Sequence, residues 1–243
     1  MTWLDDLTEV AHQGLNEQAV DAYLARGVSE SQLSLYRLGY LDHLPDLAYP
    51  PPFREWVAQR PSLREIMVLP LTNTLGTVRG VQFRTVTKGR SAYSDFIEAT
   101  DEPVLFGLAQ AMPFVWEHRS VFLVEGGFDL FPVQRVCAGV VATLTARITS
   151  SMVRLLRRLV DRIWVGYDAD TTGRNAAADF VKYNSEDFDI RVVRYPQVPM
   201  VGTARLTKDP GDLWETWGDT QFQQYLRPQL GSNTEPFHAQ DLR

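Results

Sequence analysis

Ile163-Trp164-Val165-Gly166-Tyr167-Asp168-Ala169-Asp170-Thr171-Thr172-Gly173-Arg174 decides how the chain folds. An apolar run runs straight into two carboxylates and a glycine, and Asn175 to Tyr183 then reads as a helix. Further apolar runs lie on either side, at Val121 to Val124, Ala138 to Ala142 and Ile190 to Tyr195, with helix-length segments between them. Apolar runs alternating with helical patterns predict a parallel sheet covered on both faces, an α/β fold. The segment Ser150 to Arg162 repeats apolar residues at Met152, Leu156 and Leu159, continuing to Ile163, and sets Arg154, Arg157, Arg158 and Arg162 on the other face. That face reads as solvated, with phosphate contact as the competing reading.

The acids follow the strands. Val124-Glu125-Gly126-Gly127-Phe128-Asp129 runs from a buried strand into an acid and two glycines, and Lys208-Asp209-Pro210-Gly211-Asp212 is a turn after the last predicted strand. In a parallel sheet the carboxyl ends of the strands are where ligands bind. Asp168 and Asp170, with a small residue between them, can face one cation, and Mg²⁺ favours a few carboxylates supplemented by water and phosphate. Phosphoryl transfer needs charge neutralised on the attacking and leaving oxygens, which carboxylate-held divalent metals do without a protein nucleophile. Each signal alone has a plainer reading as a turn or loop, but their order, each after its own strand, argues against coincidence. The sequence has no Walker loop, Ser-His-Asp arrangement or zinc-ligand spacing to offer a competing chemistry.

The amino-terminal half reads differently. Asn16 to Leu24, Arg26-Gly27 and Val28 to Leu38 predict helix, turn, helix, with Gly27 as a C-cap, Ser29 and Gln32 at capping-box spacing, and Gly39 ending the second helix. Residues 45 to 61 carry Pro45, Pro50, Pro51, Pro52 and Pro61 and predict a loop. Ile66 to Leu71 and Thr77 to Arg84 predict a β-hairpin.

Composition excludes several classes. A chain of 243 residues, 44% hydrophobic, can bury a sizeable core. No apolar run reaches the roughly 18 residues of a membrane span, and the acids of the first ten residues do not suit a secretion signal, so a soluble, cytoplasmic protein is expected. The single cysteine, Cys137, leaves neither an internal disulfide nor a zinc cluster, and its apolar surroundings predict a packing role. His12, His43, His118 and His238 lack ligand spacing, and the tryptophans fit core packing better than base stacking. The net charge of −6 does not exclude a polyanion ligand, because a metal site concentrates acids while local basic patches bind elsewhere.

Val124-Glu125-Gly126 with Asp129, Asp168-Ala169-Asp170 with Gly173-Arg174 and Ala176-Ala177, and Asp209-Pro210 together resemble the Toprim domain of DnaG-type primases, topoisomerases and several nucleases. Upstream, Tyr23 to Ser29, Tyr36 to Tyr40, Ile66 to Leu71, Gly76-Thr77-Val78, Phe83-Arg84, Tyr93 and Leu105-Phe106-Gly107-Leu108 resemble blocks of the DnaG polymerase core, so that the likeness runs over residues 17 to 218. It departs at Ala92, Asp95 and Asp101-Glu102, where the family carries Lys, Asn and Lys-Gly, and at Gly211, where it often has Asp.

The resemblance implies an amino-terminal primase lobe over 1–115, a Toprim domain over 116–230 and a tail over 231–243. It implies a primase that makes short RNA primers on single-stranded DNA from nucleoside triphosphates. Glu125, Asp168 and Asp170 would be catalytic. Glu125, Asp168, Asp170, Asp209 and Asp212 would hold Mg²⁺ or Mn²⁺, and Arg26, Arg84, Tyr93 and Arg174 would meet nucleic acid or nucleotide. One cysteine excludes the family's zinc module, and a replicative helicase or a separate zinc-binding subunit is the expected partner of so reduced, phage-like or mobile-element-like a core. A Toprim nuclease and a non-catalytic replication-complex module are the competing readings.

Overall fold

The structure is a computed structural model, and it describes residues 2–61, 63–86, 94–97, 103–145 and 147–231. Two compact units divide it at Thr100 and Asp101.

In the first unit the described elements run α1 (Trp3–Gln13), α2 (Glu17–Leu24), α3 (Glu30–Leu35), β1 (Gly39–Leu41), α4 (Pro51–Ala58), β2 (Ile66–Thr72), β3 (Val78–Thr85) and β4 (Ser94–Ile97). The hairpin forms as the sequence predicts: β2 and β3 pair antiparallel, within an antiparallel sheet ordered β1-β2-β3-β4. The helix pair α2 and α3 also forms, and Ser29 and Gln32 make the reciprocal capping box.

Two expectations are overturned here. The proline-rich stretch is not all loop, because Pro51 and Pro52 open helix α4, in whose first turn a missing N–H costs nothing. Phe53 and Trp56 from that helix pack into an aromatic cluster with Trp3, Tyr49 and Phe96. Gly39 does not end α3, which stops at Leu35; it opens β1. A Cβ there would lie 2.4 Å from the backbone carbon of Ala11, so glycine is what lets α1 lie against the sheet. The Tyr23 hydroxyl donates to the carbonyls of Gly39 (2.8 Å) and Val68 (3.2 Å), fastening α2 to the same sheet.

The second unit continues with α5 (Leu108–His118), β5 (Ser120–Val124), α6 (Leu130–Gln134), β6 (Val140–Ala142), α7 (Ser150–Leu159), β7 (Arg162–Val165), α8 (Thr171–Asn184), β8 (Asp189–Val192) and α9 (Pro210–Leu230). Its sheet is parallel throughout, in the order β6-β5-β7-β8. The strand period of two divides its side chains. Val121, Leu123, Ile163 and Val165 join one buried cluster with Leu156 of α7 and Phe180 of α8, while α6 packs on β6 and α9. At the edge, β8 exposes Asp189 and Arg191, charges that discourage strand addition by another chain.

Arg162 belongs to β7 rather than to the helix before it. It pairs with Asp189 at 2.6 Å, and Arg157 of α7 pairs with Asp187 at 2.5 Å. Half of the predicted arginine face is therefore bound to the unit's own acids. Among the described residues no helix is long and apolar enough to cross a membrane.

Candidate metal and phosphoryl-transfer site

Strands β5 and β7 run side by side, with Leu123 opposite Val165, so the chain leaves both at one edge of the sheet. Glu125 follows the first directly. Gly166 and Tyr167 carry the second to Asp168. A Cβ on Gly166 would lie 2.5 Å from the Phe122 ring, so only glycine passes at that point.

Asp170 ends the turn as the N-cap of α8, accepting from the Gly173 N–H at 2.9 Å. Gly173 is packed so closely that a Cβ would come within 2.4 Å of the Asp168 carbonyl oxygen. Asp209 repeats the device as N-cap of α9, accepting from the Asp212 N–H at 2.6 Å. The two turns are joined directly, since the Ala169 N–H donates to the Lys208 carbonyl.

Asp129 ties the third turn in. Its carboxylate accepts from the N–H of Gly126 (3.1 Å) and of Gly211 (3.3 Å), bridging the loop after β5 to the start of α9. The sequence pattern marks Asp129 only as part of the first acidic motif. Its place between two loops, remote in sequence, becomes visible only once the chain has folded.

Lys208 is the other residue whose role sequence reasoning missed. Its Nζ lies 2.7 Å from Asp168 Oδ2 and 3.9 Å from Asp209 Oδ2. Its backbone N–H donates to Asp212 Oδ2 at 3.2 Å. A lysine preceding Asp209 is the one signal in the sequence that pointed to it.

So many carboxylates in a partly dry site repel one another. Burial, then the charges of Asp168 and Asp170, push Glu125 up to about 7, with Lys208 opposing. Burial and the neighbouring Asp212 push Asp209 up to about 6. Burial also raises Asp168, against the hydrogen bond and charge of Lys208. Asp129 lies well above the usual carboxylate range, through burial and then Asp209 and Asp168. Burial would lower the Lys208 ammonium, but the hydrogen bond to Asp168 and the charges of Asp168 and Asp209 more than offset it, so it stays charged.

The donors fit a hard divalent cation, being all oxygen and short of positive charge. Glu125 Oε2 is buried with no hydrogen-bond partner, an acceptor that a metal or a metal-held water would satisfy. As the chain stands, however, no group of three acidic, histidine or cysteine side chains among the described residues is arranged to hold a metal, and Lys208 occupies Asp168.

Of the remaining predicted residues, Arg174 borders this site. Arg174 is exposed on α8 and donates to the Ala169 carbonyl. It lines a cavity of about 520 Å³ together with Asp168, Gly173, Arg194 and Tyr195. Arg26 and Arg84 belong to the amino-terminal unit, at the end of α2 and on β3. Arg26 reaches the Thr85 carbonyl at 3.5 Å. Tyr93 lies outside the described residues.

Comparison with known proteins agrees with this geometry. Residues 122–201 match a family model described as Toprim-like. The DNA primase of Aquifex aeolicus is 31% identical over 117 residues, which cover 45% of this chain and 23% of that protein. The DNA primase of Treponema pallidum is 28% identical over 193 residues, covering 71% of this chain and 32% of that protein. The chain thus spans about a quarter to a third of the length of these curated relatives. A DnaG primase catalytic domain solved with single-stranded DNA superimposes with a TM-score of 0.70 at 20% identity, over 93% of this chain and 79% of that one. At that identity the likeness shows the fold.

Proposed function

The chain carries a Toprim domain within a core of the DnaG-primase fold, and from that premise we propose that it joins nucleoside triphosphates into short RNA primers on a single-stranded DNA template. The observation that carries the reading is the convergence of Glu125, Asp168, Asp170 and Asp209 at one edge of the parallel sheet, with Glu125 Oε2 left without a partner.

Asp168, Asp170 and Asp209, with Asp212 beside them, would hold the divalent metal, Mg²⁺ or Mn²⁺. Bound there, it supplies neutralisation of the charge that develops on the attacking and leaving oxygens. Glu125 handles the proton. In the metal-free chain burial and then the Asp168 and Asp170 charges push its carboxyl up to about 7, and the buried Oε2 is the acceptor that would take the proton of a primer 3′ hydroxyl. Asp129 positions the loops after β5 and before α9 through its two backbone hydrogen bonds. Arg174 stands at the start of α8, where backbone N–H groups and a guanidinium favour a phosphate. Arg26, Arg84 and Tyr93 are the proposed contacts of the amino-terminal unit with template or nucleotide. A replicative helicase or a separate zinc-binding subunit is the proposed protein partner.

The test is incorporation of labelled nucleoside triphosphates on single-stranded DNA with Mg²⁺ or Mn²⁺, comparing the native chain with Asp168→Ala and following the template for cleavage. Metal-dependent products that disappear in the variant are expected. A cut template without products would replace the reading with a nuclease.

A further inference from the structure

Lys208 is pinned by its backbone and partly exposed along its side chain. Its carbonyl accepts from Ala169 and its N–H donates to Asp212, so the main chain is held from both sides. The side chain is 41% exposed and rests its ammonium on Asp168, with Asp209 second. The ammonium of lysine is a compact charge on a flexible stem, and it can move without disturbing the backbone that carries it. Asp168 is also one of the carboxylates to which the proposed function assigns the divalent metal.

We propose that Lys208 is the built-in counter-cation of the metal-free site, and that a divalent metal binds by displacing its ammonium from Asp168. This inference rests on the metal-binding reading above. A divalent metal on the Asp168 Oδ2 atom that Lys208 now holds at 2.7 Å would meet the ammonium at close range, and the repulsion of the two cations favours moving the one on a flexible stem. The buried, unpartnered Glu125 Oε2 beside these carboxylates is an acceptor that a water held by the incoming ion would satisfy and that Lys208 leaves unused. In the absence of metal the lysine keeps the carboxylates from driving the loops apart. Once displaced, it becomes a free cation at the rim of the site, on a side chain already open to solvent.

Two measurements on the full chain test this. Calorimetric titration with Mn²⁺ and, separately, with Mg²⁺ compares the native chain with Lys208→Met, with circular dichroism reporting whether the variant is folded. Removing a competing unit charge from a half-buried site should tighten Mn²⁺ binding on the order of 10-fold. Unchanged or weaker binding by a folded variant overturns the proposal.

The second measurement needs no variant. The lysines of the chain are Lys88, Lys182 and Lys208. Amine-specific labelling read by mass spectrometry can therefore follow Lys208 against the others during a Mg²⁺ titration. Labelling of Lys208 should rise severalfold with the midpoint that calorimetry gives, while Lys182 stays level. Lys208 labelling that is flat or falls at saturating Mg²⁺ overturns the displacement and leaves the metal site standing. No heat with either metal overturns the metal reading itself, and the displacement with it.

Discussion

Asp168 and Lys208 are 40 residues apart in the chain and 2.7 Å apart in the fold, and the chemistry of the site depends on contacts of that kind. Glu125 shows the consequence most directly. Its ordinary value is 4.5, and in the fold burial and the neighbouring acids push it up to about 7. The folded state then holds the proton more tightly than the unfolded chain does. The contribution of Glu125 to stability is accordingly full below about 4.5 and is lost as the pH rises through about 7. In metal-free buffer Glu125→Gln should match the native chain at pH 4 and exceed it at pH 8. The gain is expected to be about 1–2 kcal/mol once solvent screening of a partly exposed group is allowed for. Urea denaturation at the two pH values measures it, and an equal difference at both would mean that the proton is not the cause. The motif Val124-Glu125-Gly126 made this residue a candidate from sequence, but the shift belongs to neighbours that only folding brings close.

At the scale of single elements, Asp170 has two duties that mutation can separate. Its carboxylate caps α8 through the Gly173 N–H, and its charge is one of those assigned to the metal. Asparagine keeps the cap and removes the charge, whereas alanine removes both. Asp170→Asn should leave the melting temperature near that of the native chain, while Asp170→Ala should lose about 1 kcal/mol of stability. Both should lose Mn²⁺ binding by titration. If asparagine binds as the native residue does, the capping duty is the whole of its role. The strands of the parallel sheet were legible because a strand buried on both faces must be an unbroken apolar run, and β5 is buried along its length. The helix α4 was not legible, because its first turn is Pro51-Pro52 and its stabilising contacts are made by Phe53 and Trp56 to Trp3 and Phe96, distant in sequence. Arg162 was assigned to the wrong element for a related reason: the apolar rhythm of α7 continues through Ile163, and only the strand register shows that the chain has already entered the sheet.

At the scale of the whole molecule, the division at Thr100 and Asp101 separates an antiparallel sheet with its aromatic cluster from a parallel sheet with a core of its own. Every acid assigned to the metal lies in the second unit. A fragment of residues 101–243 should therefore give a cooperative thermal transition by circular dichroism and still bind Mn²⁺. A fragment without a cooperative transition would mean that the second core is not self-sufficient. The fold of that unit and the candidacy of Glu125, Asp168, Asp170 and Asp209 were legible in sequence alone, because apolar period and the position of an acid after a strand are local properties that survive without coordinates. The bridging role of Asp129, the grip of Lys208 on Asp168 and the buried, unpartnered oxygen of Glu125 were decided only by tertiary structure. Each arises where loops from different strands meet at one sheet edge, and Coulomb attraction, hydrogen bonding and desolvation act through the distances set there.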